Sequence, residues 1–123
     1  MASGMSHLGG KLSDLPLSPQ STPQVDKRIV FGPDRFWPEY TARHFTAKVG
    51  SVITTHAHDW PHYILVFSGT VEARIGDDIV RADEKSWIHV PANVPHSFTV
   101  VGDVPFEFVC IVPARGDVTP PQK

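Results

Sequence analysis

From Lys27 onward the chain is written in short runs of β-branched and aromatic residues, separated by Gly, Pro, Asn and Asp, and no apolar period of 3.6 persists anywhere. A stable helix needs that period to bury one face. Its absence excludes a helical bundle and leaves an all-β fold. The runs predict strands over Arg28–Phe31, Arg43–Val49, Val52–His56, Tyr63–Phe67, Val71–Ile75, Ile79–Arg81, Trp87–Val90, Ser97–Val101 and Phe106–Val112. Ser68-Gly69, Gly76-Asp77-Asp78 and Gly102-Asp103 sit between runs and supply turn residues. Short strands at this spacing build a sandwich or a small barrel.

Side chains alternate across a strand, so parity assigns each run an inner face. Ile64 and Val66 share the face of His62, and Phe98 and Val100 share that of His96. Phe106, Phe108, Cys110 and Val112 form one apolar face of the last strand. On the run from Arg43, the apolar set is Phe45, Ala47 and Val49, and Arg43 has their parity.

The chemistry is concentrated between Gly50 and Gly69. His56 and His58 differ by two, so both rings leave an extended strand on the same side. Asp59-Trp60-Pro61 turns the chain so that His62 opens the next strand and faces the pair. His96 follows Val90-Pro91-Ala92-Asn93-Val94-Pro95, a stiff loop that presents its ring at the start of another strand. Neutral imidazole is the commonest protein ligand for a transition metal, and packing alone gives no reason for such a cluster.

Gly50, His56, His58, His62 and Gly69 reproduce at every spacing the first motif of the cupin superfamily, and Pro91, Asn93 and His96 represent the second. The chain therefore resembles a single-domain cupin from about Arg43 to Val112. The resemblance implies a cupin-type jelly-roll barrel (double-stranded β-helix) around one divalent metal held by His56, His58, His62 and His96, often in a homodimer. The usual third ligand is Glu, where this chain has His62, and two usual glycines correspond to Lys85 and Asn93. Asparagine tolerates the left-handed conformation, which would preserve that loop. The four-histidine set and the Phe-Glu-Phe-Val-Cys-Ile-Val-Pro ending are similar to a subgroup of small bacterial manganese cupins. Manganese is thus the first expectation, followed by iron, nickel, copper, cobalt or zinc.

Four neutral imidazoles would leave the whole +2 charge on the ion, a Lewis acid that prefers an anionic oxygen ligand. The expected function is a metal-dependent oxidoreductase of dioxygenase type acting on a small, partly apolar compound. Alternatives are a metal-assisted lyase, decarboxylase or isomerase, and a non-catalytic binding module. Arg43, Ile64, Phe98, Phe108 and Cys110 are the candidate substrate-pocket residues. Each also has a plainer reading: Arg43 as a surface residue, Cys110 as a small buried hydrophobe, the others as packing. His44 and His89 read as surface or core-edge residues, and His62 could instead stand beside a three-histidine site as a hydrogen-bonding partner.

At 123 residues the chain forms one domain, and 11 basic against 13 acidic side chains show no run of either sign. Nucleic-acid and membrane partners are not expected. There is no elbow motif or carboxylate pair for covalent hydrolysis. No apolar stretch is long enough to span a bilayer or to serve as a signal peptide, so the expected compartment is the cytoplasm, consistent with the single Cys110. Residues 1–25, rich in Ser, Pro and Gly, are expected to be a flexible tail, 26–115 the folded domain, and 116–123 a short C-terminal tail.

Overall fold

The computed structural model describes residues 8–55 and 57–117. Among the described residues, nine strands follow in chain order: β1 (Val25–Phe31), β2 (Tyr40–Ala47), β3 (Val52–Thr55), β4 (His62–Ser68), β5 (Thr70–Ile75), β6 (Asp78–Ala82), β7 (Ser86–Val90), β8 (His96–Val101) and β9 (Phe106–Pro113). They form a five-stranded sheet, β1-β2-β9-β4-β7, and a four-stranded sheet, β3-β8-β5-β6. Every pairing between strands is antiparallel. This is the jelly-roll architecture, with all nine expected runs present. No helix of the described residues is long and apolar enough to cross a membrane.

The core lies between the two inner faces, where parity put it. Ile64 and Val66 of β4, Phe98 and Val100 of β8, and Phe106, Phe108, Cys110 and Val112 of β9 are all buried in one cluster. The rings of Phe45 and Phe108 stack at 5.0 Å and those of Phe106 and Phe108 at 4.7 Å. Each such side chain contributes about 1.5–3 kcal/mol by leaving water. Val49 departs from the expected inner set: β2 ends at Ala47, the chain turns, and Val49 is exposed. A turn through Gly50, with φ +84°, breaks the alternation on which the parity argument relied.

Two connections set the shape. Gly76 and Asp77 form a two-residue hairpin turn between β5 and β6, with Gly76 at φ +59°. Gly69 passes the chain from one sheet to the other at φ +83°, so tightly that an added Cβ would lie 2.3 Å from the Pro105 carbonyl oxygen. Residues Leu15 to Thr22, part of the expected tail, run against β1 through specific bonds. The Ser18 N–H donates to the Lys27 carbonyl at 2.7 Å, and Arg28 Nε to the Leu15 carbonyl at 3.0 Å. Composition reads the polarity of this segment but not the partners that anchor it.

Candidate metal centre

His62 is the first residue of β4 and His96 the first of β8, while His58 lies in the connection between β3 and β4. The register places Thr55 at the end of β3 opposite His96, so the His58 loop emerges beside the start of β8. The loop before His96 is fixed at both ends. The Gly76 N–H donates to the Pro95 carbonyl at 2.8 Å, and the Asn93 N–H to the His58 carbonyl at 2.5 Å. Asn93 itself is left-handed, with φ +67°, as is Lys85 at +63°. Asn93 thus keeps the conformation expected of it, and Lys85, the other position with a usual glycine, adopts it too.

These constraints bring three of the four expected histidines together. Ring centres are 4.8 Å apart for His62 and His96, 5.6 Å for His58 and His62, and 6.0 Å for His58 and His96. His62 and His96 are buried, 8% and 5% exposed. The fourth, His56, lies outside the described residues. With metal–nitrogen bonds of about 2.1 Å, two imidazoles on one ion have ring centres roughly 4.5–6.5 Å apart, depending on the angle between them. All three spacings fall in that interval. Among the described residues, no group of three or more His, Cys, Asp or Glu side chains is arranged to hold a metal ion, and the fourth expected ligand, His56, is not among them.

Two of the rings have defined surroundings. His96 Nδ1 is 3.0 Å from the Val94 carbonyl, which can only accept, so the proton sits on Nδ1. His62 Nε2 is buried with no hydrogen-bond partner among the described residues, a state that a bound cation would relieve. Burial first, with smaller electrostatic contributions from His96, Arg43 and His58, holds the His62 pKa down from 6.5 to about 3. His62 is therefore neutral at pH 7, the form that binds metal.

The surrounding wall combines aromatic and polar groups. Trp60 lies flat on His58, ring centres 4.6 Å apart and planes 2° from parallel, with Gly116 against its indole. A Cβ at 116 would come within 2.7 Å of the Trp60 Nε1. Phe98 meets His96 edge-on at 5.9 Å, while Ile64 and Phe108 lie in the buried core. Cys110 Sγ is 3.5 Å from His62 Nδ1 and accepts a hydrogen bond from Arg43 Nη2 at 3.0 Å. Burial pushes the Cys110 thiol pKa up, and the neighbouring Arg43 offsets only part of that. Arg43 Nη1 in turn lies 3.4 Å from Asp117 Oδ1, which also takes Lys27 Nζ at 2.9 Å. The Arg43 fork is thus occupied within the protein.

Two features escaped the sequence reading. Lys27, 5% exposed, sits on Asp117 and Gln20, and desolvation lowers its pKa more than Asp117 raises it. His44 is buried on the outer face of β2, its Nε2 2.7 Å from Glu107 Oε2, beside a shallow cleft of about 500 Å³ lined in part by Leu12 and Arg28. That cleft lies on the opposite face of the sheet from the imidazole cluster. Outward parity could have flagged His44 and Glu107 separately, but their adjacency needed the β2–β9 pairing. His89, expected at the surface, is exposed and stacks on Tyr63 at 5.5 Å.

The cupin-domain family profile matches residues 43–112, more than half of the chain. The chain belongs to the cupin family. Solved structures agree on the fold. A structure of the polyketide cyclase RemF from Streptomyces resistomycificus superposes with a TM-score of 0.76 at 17% identity, over 92% of this chain and 81% of that one. KdgF from Halomonas sp. gives 0.74 at 17% identity, over 87% and 94%. A cupin-2 domain, Rru_A2000 from Rhodospirillum rubrum, gives 0.70 at 20% identity, over 86% and 73%. No curated protein matches the sequence. At these identities the structural likeness establishes the barrel, and this cupin's own residues must carry any argument about its chemistry.

Proposed function

We propose that this cupin holds one divalent transition metal, manganese in first place, on His56, His58, His62 and His96. On this reading it is an oxidoreductase of dioxygenase type, with dioxygen as co-substrate and a small, partly apolar, oxygen-ligating compound as substrate. One observation carries the reading: three imidazoles meet at 4.8–6.0 Å, with His62 Nε2 buried and without a partner among the described residues. The metal would supply Lewis acidity and, if six-coordinate, two positions beyond the four nitrogens. Val94 holds His96 in its ligating tautomer, and burial keeps His62 deprotonated. Phe98, Phe108 and Ile64 give the surroundings an apolar character suited to a partly apolar substrate.

A second reading uses the same Lewis acid without oxygen, in a lyase, decarboxylase or isomerase. Its support is that one similar solved structure is named a polyketide cyclase. Elemental analysis of tag-free protein should find about one metal per chain, and His96→Ala should abolish it. Oxygen consumption during turnover then separates the readings: a reaction at full rate under strict anaerobiosis eliminates the dioxygenase.

We also propose a homodimer, in which the outer face of β4 and β7 meets the same face of a second copy. Tyr63, Leu65 and Phe67 of β4 and Trp87 of β7 are 45%, 51%, 43% and 74% exposed there. Leu65 and Trp87 are register partners, and β7 is an unpaired edge of its sheet. A two-fold axis beside that edge covers both patches at once, which is how a self-complementary interface forms.

A further inference from the structure

The outer face of the five-stranded sheet carries two opposite charges that do not meet. Arg28 of β1 is opposite His44 of β2, and Thr46 of β2 is opposite Glu107 of β9, so Arg28 and Glu107 lie on a diagonal across these strands, roughly 12 Å apart at the backbone. Both line the cleft of about 500 Å³, and among the described residues no ion pair joins them. Leu12, Val104 and Pro105 give the same cleft an apolar wall.

Each charge is held in place. Arg28 Nε donates to the Leu15 carbonyl at 3.0 Å, while its two Nη atoms make no hydrogen bond among the described residues. Glu107 Oε2 accepts from His44 Nε2 at 2.7 Å, and Oε1 takes only a long contact of 3.4 Å from Ser68 Oγ. The His44 side chain is 5% exposed, and its Nδ1 is buried with no partner among the described residues. An apolar ring would fill that space without the orphan; what the imidazole adds is a fixed grip on Glu107. A guanidinium fork and a carboxylate oxygen thus line one cleft with bonding capacity to spare and little rotamer freedom left to lose.

We propose that this cleft is a small-molecule site separate from the imidazole cluster, and that it takes a small zwitterion: a carboxylate on the Arg28 Nη groups, an ammonium on Glu107 Oε1, and an apolar chain along Leu12, Val104 and Pro105. Charge complementarity selects the class. A simple anion leaves the Glu107 charge unanswered and a simple cation leaves that of Arg28, whereas a zwitterion meets both. The diagonal spacing of the two residues favours charges at opposite ends of a short chain over the adjacent charges of an α-amino acid. None of the cleft residues belongs to the imidazole cluster, so the site stands or falls independently of the metal reading.

The probe is 6-aminohexanoate, titrated at neutral pH into the ¹⁵N-labelled full chain while amide chemical shifts are followed. Saturable shifts should appear at millimolar ligand and gather on Arg28, Thr46 and Glu107. Hexanoate and hexylamine, with one charge each, should bind roughly tenfold more weakly. On Arg28→Gln the zwitterion should lose its advantage over hexylamine, and on Glu107→Gln its advantage over hexanoate. A general loss of structure does not produce that crossed pattern, and the wild-type ligand comparison decides the question even where a variant fails to fold. No saturable shift with 6-aminohexanoate, single-charge analogues binding within about twofold of it, or shifts gathering on His62 and His96 instead would each overturn the assignment.

Discussion

The backbone N–H of Asn93 donates to the carbonyl oxygen of His58 at 2.5 Å. One bond therefore ties the connection carrying His58 to the loop that delivers His96. Asn93 makes it from a left-handed conformation, φ +67°, which asparagine accepts and β-branched residues resist. Asn93→Gly should retain stability and metal uptake, whereas Asn93→Val should cost about 1–2 kcal/mol and weaken metal binding. Thermal unfolding with and without added metal measures both.

Gly69 and Gly50 bracket the histidine segment, and both have positive φ. Only Gly69 is also crowded: a Cβ there would meet the Pro105 carbonyl oxygen at 2.3 Å and Phe106 Cα at 2.7 Å, whereas Gly50 has nothing within 4 Å. Gly69→Ala should therefore destabilise the fold by about 3 kcal/mol or more, strain and clash combined, and Gly50→Ala by about 1 kcal/mol from strain alone. Urea unfolding midpoints compare the two.

The pH dependence follows from the depressed pKa of His62, about 3 in the fold against 6.5 as the ordinary value. As pH falls through 6.5 the unfolded chain takes up a proton at this position and the folded chain does not. The contribution of neutral His62 is thus whole above pH 6.5 and is lost progressively toward pH 3, at up to about 1.4 kcal/mol per pH unit. Urea titrations of chelator-treated protein at pH 7.5, 6 and 5 should show the decline, and His62→Gln should flatten it. Equal slopes in both proteins would contradict this account.

For the dimer, Trp87 is the probe, since it is the most exposed large side chain of the outer face at 74% and packs no part of the core. Light scattering should give twice the chain mass for the wild type and one chain mass for Trp87→Glu, with circular dichroism unaltered. A monomeric wild type at micromolar concentration would dispose of the interface.

The sequence determined what local alternation and spacing can encode. It set the all-β class, the nine strand runs and the inward side of β2, β4, β8 and β9, because these depend on the period of two along a strand and on turn residues a few positions away. The left-handed Asn93 was legible from the motif it belongs to, since asparagine tolerates that conformation, whereas the left-handed Lys85 was not foreseen. Tertiary structure alone decided which strands became neighbours. His44 meets Glu107, Lys27 meets Asp117, and Arg43 reaches Cys110 across β2 and β9. These pairs are separated in the chain by 63 residues or more, and no pattern within a strand records its partner. The anchoring of residues 15–22 along β1 was hidden likewise, because polar composition describes a segment's solubility and not the carbonyls and side chains waiting to receive it.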